Sequence, residues 1–135
     1  MAKLANFEIF EDTGKKSTLF ASISSTGRIA LNEGAVRQFE LTKFKYVLQM
    51  YDREKKLIGL QFFDEKTRKG LVKLQFRTGA GVFFRAVNFL KEFAILPASA
   101  LFYIPRRSED LQNVLVIDLK HETERGYAKK NKKQN

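Results

Sequence analysis

Hydrophobic and polar residues change their spacing several times along the chain, and each change marks an element. Phe7-Glu8-Ile9-Phe10 alternates sides and runs into Asp12-Thr13-Gly14-Lys15, a turn composition, which predicts a hairpin completed by Leu19 to Ile23. Gly27 to Leu31 reads as a short strand, after which the side-chain oxygen of Asn32 can cap a helix over Glu33 to Phe39, with Ala35, Val36 and Phe39 facing the core. From Tyr46 the period is two, and Asp52 to Lys56 forms a charged turn that returns the chain through Ile58, Leu60 and Phe62. After a second charged turn, Asp64 to Gly70, a strand buries Val72, Leu74 and Phe76 and exposes Lys73, Gln75 and Arg77. Thr78 to Gly81 breaks it. The spacing of Phe83, Ala86, Val87, Leu90 and Phe93 then predicts a long helix from Val82 to about Ile95, closed by Pro97. Strands follow at Ala100 to Ile104 and Asn113 to Leu119, joined through Pro105 to Asp110.

These elements describe an α+β fold: a mostly antiparallel sheet, or a partly closed barrel, with one short and one long helix. The order strand, helix, strand, turn, strand occurs over 27–62 and again over 70–119, which suggests a βαββ pseudo-repeat. Pairing two such halves would cover edges that otherwise recruit other chains. Residues 1–119 are expected to form a single domain, and 120–135, with Lys129, Lys130, Lys132 and Lys133, a basic disordered tail.

Charge adds a partner to this picture. Among 135 residues, 25 Lys and Arg face 15 Asp and Glu, a net charge of +10 that attracts polyanions. The chain has no cysteine, hence no disulfide, thiolate nucleophile or sulfur-ligated zinc or iron site. Its one histidine, His121, stands between Lys120 and Glu122 at the start of the tail, and the acidic pairs fall in turns, where they keep loops hydrated. Ser24 and Ser25 have no base to activate them. No catalytic residue, metal or cofactor is therefore expected, and the chain reads as a non-enzyme. Its apolar runs are too interrupted to cross a bilayer, so a cytoplasmic, non-membrane protein is expected, nucleoid-associated if its partner is DNA. Gly79-Ala80-Gly81 before a helix resembles a phosphate loop but lacks the lysine and hydroxyl residue that complete one.

The basic residues predicted to neutralise phosphates are Lys66, Arg68 and Lys69 in one turn, Lys73 and Arg77 on an exposed strand face, and Arg106 with Arg107 in another turn. Of the aromatic residues, most phenylalanines belong to the core stripes, leaving Tyr46, Tyr51 and Tyr103 as candidates for stacking on bases. The segment Ser25-Thr26-Gly27-Arg28-Ile29-Ala30-Leu31, continued by Ala35 to Leu41 and Tyr46-Val47, resembles the AbrB/SpoVT-like swapped-hairpin DNA-binding regulators. It departs from their pattern at Asn32, where proline is usual, and at Thr42 to Lys45, where a Gly-Asp turn is usual. The resemblance implies basic contacts at Arg28 and Arg37, a role in transcription regulation, and a homodimer built by exchanging hairpins, unless an internal repeat supplies both halves. DNA is the first expected partner and RNA the second. The competing expectation is a protein-interaction or self-assembly module that engages an acidic partner.

Overall fold

In a computed structural model, residues 3–4, 7–8 and 19–123 are described. β1 (Lys3–Leu4) and β2 (Phe7–Glu8) form a two-stranded antiparallel ladder. The hairpin expected between Phe7 and Ile23 is not the pairing found: Phe7 and Glu8 lie opposite Leu4 and Lys3, while Ala21–Ile23 is flanked on both edges by Arg28–Leu31 and Leu101–Tyr103. The tail from residue 124 onward lies outside the described residues. β3 (Ala21–Ile23), β4 (Arg28–Leu31), α1 (Glu33–Gln38) and a 3-10 turn (Leu41–Lys43) lead to the long hairpin β5 (Tyr46–Asp52) and β6 (Leu57–Phe63). β7 (Leu71–Lys73), β8 (Gln75–Arg77), β9 (Gly81–Arg85), α2 (Val87–Glu92), β10 (Leu101–Tyr103), β11 (Arg106–Arg107), β12 (Val114–Asp118) and β13 (Glu122–Thr123) complete the order.

The main body is α+β, with mostly antiparallel sheets and two short helices. One sheet has six strands in the order β13-β10-β3-β4-β9-β8, and the other has five in the order β11-β12-β6-β5-β7. Neither closes into a barrel. Alternation sorts the side chains: Ala21, Ile23, Ile29, Leu31, Val82 and Phe84 of the first sheet and Val47, Ile58, Leu60, Phe62, Leu115 and Ile117 of the second join one buried cluster. The helices add Ala35, Val36 and Leu90 to it, with Phe39 just beyond α1. Leu74, buried between β7 and β8, donates its N–H to the Lys45 carbonyl at 2.8 Å, at the point where the chain crosses from one sheet to the other. Phe76, expected inside, is 42% exposed on the edge strand β8.

The short first helix follows its predicted chemistry. Asn32 Oδ1 accepts from the Ala35 N–H at 3.0 Å and also from the Phe20 N–H at 3.0 Å, so one side chain caps α1 and extends the β3 side of the hairpin. The long helix does not form. Gly79 (φ 73°) and Gly81 (φ 106°) turn the chain tightly, and Val82-Phe83-Phe84-Arg85 then alternates inward and outward as β9 beside β4. Helix begins only at Val87 and ends through left-handed Ala94 (φ 58°), where the Ala94 and Ile95 N–H groups reach back to the Lys91 and Leu90 carbonyls. The spacing that suggested one helical stripe was shared between a strand and a shorter helix. Pairing also continues past Leu119, because Phe102 and Tyr103 lie opposite Thr123 and Glu122. No helix among the described residues is long and apolar enough to cross a membrane.

Candidate nucleic-acid interface

The outward face of the six-stranded sheet is built by register. Across its strands Phe102, Ser22, Ala30, Phe83 and Gln75 form one row, since each is the direct partner of the next. Arg28 lies opposite Arg85 in the adjoining row, two residues along β4 and β9, and Arg77 follows Gln75 on the same side of β8. The strands β10, β3, β4, β9 and β8 contain these three arginines and no aspartate or glutamate.

Phe83 organises the cluster. The Arg28 guanidinium stands 4.3 Å from its ring centroid and that of Arg77 stands 4.8 Å away, both within cation–π range. None of the ion pairs seen among the described residues involves Arg28, Arg77 or Arg85. Two like charges directly opposed on adjacent strands repel, and a bound anion would relieve that repulsion. Side-chain hydrogen bonds brace the turn before Arg28: Ser24 Oγ accepts from the Arg28 N–H at 3.0 Å and lies 2.9 Å from Thr26 Oγ1. Gly27 (φ 91°) closes the turn and accepts the Ala86 N–H at 2.7 Å, tying the Arg28 strand to the start of α2. Thr26, Gly27, Arg28, Gln75, Phe83 and Arg85 surround an open pocket of about 300 Å³.

The other sequence candidates lie apart from this face. Arg37 is exposed on α1 and pairs with Glu33 of the preceding turn at 3.7 Å. Lys66, Arg68 and Lys69 are exposed in the loop between β6 and β7, which joins two strands of the five-stranded sheet. Lys73, exposed on β7, lies opposite Tyr46 of the five-stranded sheet. Arg106 and Arg107 are in strand β11 of that same sheet, and Arg107 stands 5.2 Å from the Phe39 ring centroid. Among the stacking candidates, Tyr103 is buried, and its hydroxyl pKa is raised by that burial and by nearby Glu122. Tyr51 packs on Phe93 at 5.0 Å. Tyr46 is half-exposed.

Phe83 and Arg85 escaped the sequence reading because both fell inside the presumed helix. A signal was present: Gly79 and Gly81 immediately precede Val82 to Arg85, whose aromatic and β-branched content favours a strand. The chain matches no family model, no curated protein and no solved structure.

Proposed function

We propose that this protein is a non-enzymatic nucleic-acid-binding module that holds phosphates on the outward face of its six-stranded sheet. The reading is carried by one observation: Arg28, Arg77 and Arg85 converge about Phe83 on strands without a carboxylate. Cations spread evenly over a soluble surface are normally interleaved with acids. Arg37, Lys66, Arg68, Lys69, Lys73, Arg106 and Arg107 are secondary contacts in this scheme, able to extend a bound strand beyond the central patch. DNA is the first partner to test and RNA the second.

Two interleaved copies of one βαββ unit, each with a further strand before it, would account for how the patch is placed. In support of such a pseudo-repeat, each helix is six residues long, is followed by a phenylalanine cap, and ends on a left-handed residue, Glu40 (φ 55°) or Ala94 (φ 58°). Gly59 and Val116, each three residues after left-handed Lys56 or Asn113, face each other between β6 and β12. β5 of the first half pairs with β7 of the second, and β10 of the second with β3 of the first. An exchange of hairpins within one chain would in this way replace the exchange between two chains that the swapped-hairpin resemblance implies.

The test is anisotropy of labelled nucleic acid over a salt series. Affinity is expected to fall steeply with salt, and Arg28→Glu, Arg77→Glu and Arg85→Glu together should flatten the logarithmic slope by about 2–3. Absence of binding, or an unchanged slope in the triple variant, sinks the proposal. A second reading, self-association, draws on the five-stranded sheet, whose outward residues Leu48, Met50, Leu71 and Val116 are only partly covered. A molecular mass that stays monomeric as concentration rises would remove it.

A further inference from the structure

The pocket bounded by Thr26, Gly27, Arg28, Gln75, Phe83 and Arg85 has a chemistry narrower than phosphate binding alone. Its volume of about 300 Å³ is at the small end of ligand sites and suits one nucleotide better than a run of bare backbone phosphates. Its walls differ in kind. Arg28 and Arg85 supply opposed cations, Gln75 an amide able to donate and accept, Thr26 a hydroxyl, and Phe83 an apolar plane with guanidinium groups lying over it. An amide and a hydroxyl beside stacked planes can read the edge of a base, whereas a phosphate engages the cations only.

The setting excludes one common geometry. Base edges of an intact duplex are reached by a helix or a two-stranded ribbon inserted into a groove. Here the polar side chains lie within a sheet face, and α1 and α2, six residues each, carry none of the lining residues. A base still paired within a helix cannot enter a pocket set in such a face, but an unpaired base can turn out of its strand and stack on aromatic or guanidinium planes.

We propose that this pocket takes a single unpaired nucleotide, its base against the Phe83–arginine stack and Gln75 and its phosphate between Arg28 and Arg85, so that the protein prefers single strands to duplex. The proposal rests on the nucleic-acid reading above and restricts it. The experiment compares a labelled strand of about 20 nucleotides, as deoxyribose and as ribose, with the corresponding blunt duplexes at one salt concentration. The single strand is expected to bind at least about tenfold more tightly than the duplex. Arg28→Lys with Arg77→Lys keeps the charge and removes the planar groups; it should erase most of that preference, the single strand losing more affinity than the duplex. Gln75→Ala should narrow differences among homopolymeric strands of different base.

Equal or tighter duplex binding overturns the pocket assignment and leaves the broader phosphate-binding reading intact. A single-strand preference that survives the double lysine variant overturns it as well, because the preference would then arise elsewhere. Failure to bind either form removes both readings. A difference between the deoxyribose and ribose arms identifies which polymer the pocket takes.

Discussion

At the scale of residues, the chain tolerates local costs where its candidate site lies. Arg28 and Arg85 face each other across β4 and β9 without a carboxylate partner in either strand. Arg85→Thr should therefore stabilise the protein by about 0.5 kcal/mol at low salt. The gain should fade as salt screens the repulsion, while nucleic-acid affinity falls. Denaturant titrations at two ionic strengths check the first expectation and anisotropy the second. Asp118 shows the opposite economy. Its carboxyl loses some solvation, which by itself raises its pKa, but the hydrogen bonds from the Lys120 ammonium and backbone N–H, with the charges of Lys120 and His121, outweigh that and hold it below the usual aspartate value. A depressed folded-state pKa adds stability that is present above the unfolded value near 4 and is lost as pH falls through the folded value. Asp118→Asn should cost roughly 0.5 kcal/mol at neutral pH. Thermal unfolding of both proteins should converge as the solution is acidified below the ordinary aspartate range.

At the scale of elements, two glycines mark close approaches, Gly81 to the end of β4 and Gly27 to the start of α2. A Cβ on Gly81 would stand 2.1 Å from the Leu31 carbonyl oxygen, and one on Gly27 would stand 2.4 Å from Val87 Cβ. Both residues also have positive φ. Gly81→Ala is expected to lose about 3 kcal/mol or more, since backbone rather than a flexible side chain must move; a far smaller loss in chemical denaturation would show that β4 and β9 can part locally. The same glycines explain what was legible in the sequence. Asn32 announced α1, and the alternation of Tyr46 to Asp52 and Leu57 to Phe63 announced the long hairpin, because each signal is local. The Val82 to Ile95 segment misled because Phe83, Ala86, Val87, Leu90 and Phe93 fit helical spacing equally well, and only the neighbouring β4 decides that Val82 to Arg85 extend. Arg77 and Arg28 were readable as exposed cations one at a time. Their convergence on Phe83 depends on β8, β9 and β4 lying side by side, a long-range fact that spacing along the chain does not carry.

At the scale of the whole molecule, the two halves share both sheets. β4 pairs with β9, β12 with β6, β10 with β3 and β5 with β7. On the pseudo-repeat reading proposed above, strands that another subunit would supply in a hairpin-exchanged dimer come from the chain itself, and a 15.6 kDa monomer is the expected species in solution. Light scattering at rising concentration checks this; a dimer at every concentration would return the partly covered Leu48 and Val116 face to consideration as a contact between copies.

The interlacing carries a consequence for a broken chain. A cut in the exposed stretch from Asp64 to Gly70 would sever no strand, yet it would leave each fragment with unzipped edges at β3, β5, β4 and β6 or at their counterparts β10, β7, β9 and β12. Neither piece would hold its shape in isolation, while the two mixed together would reconstitute both sheets, so that a nicked protein would keep its form and a halved one would have to find its missing complement.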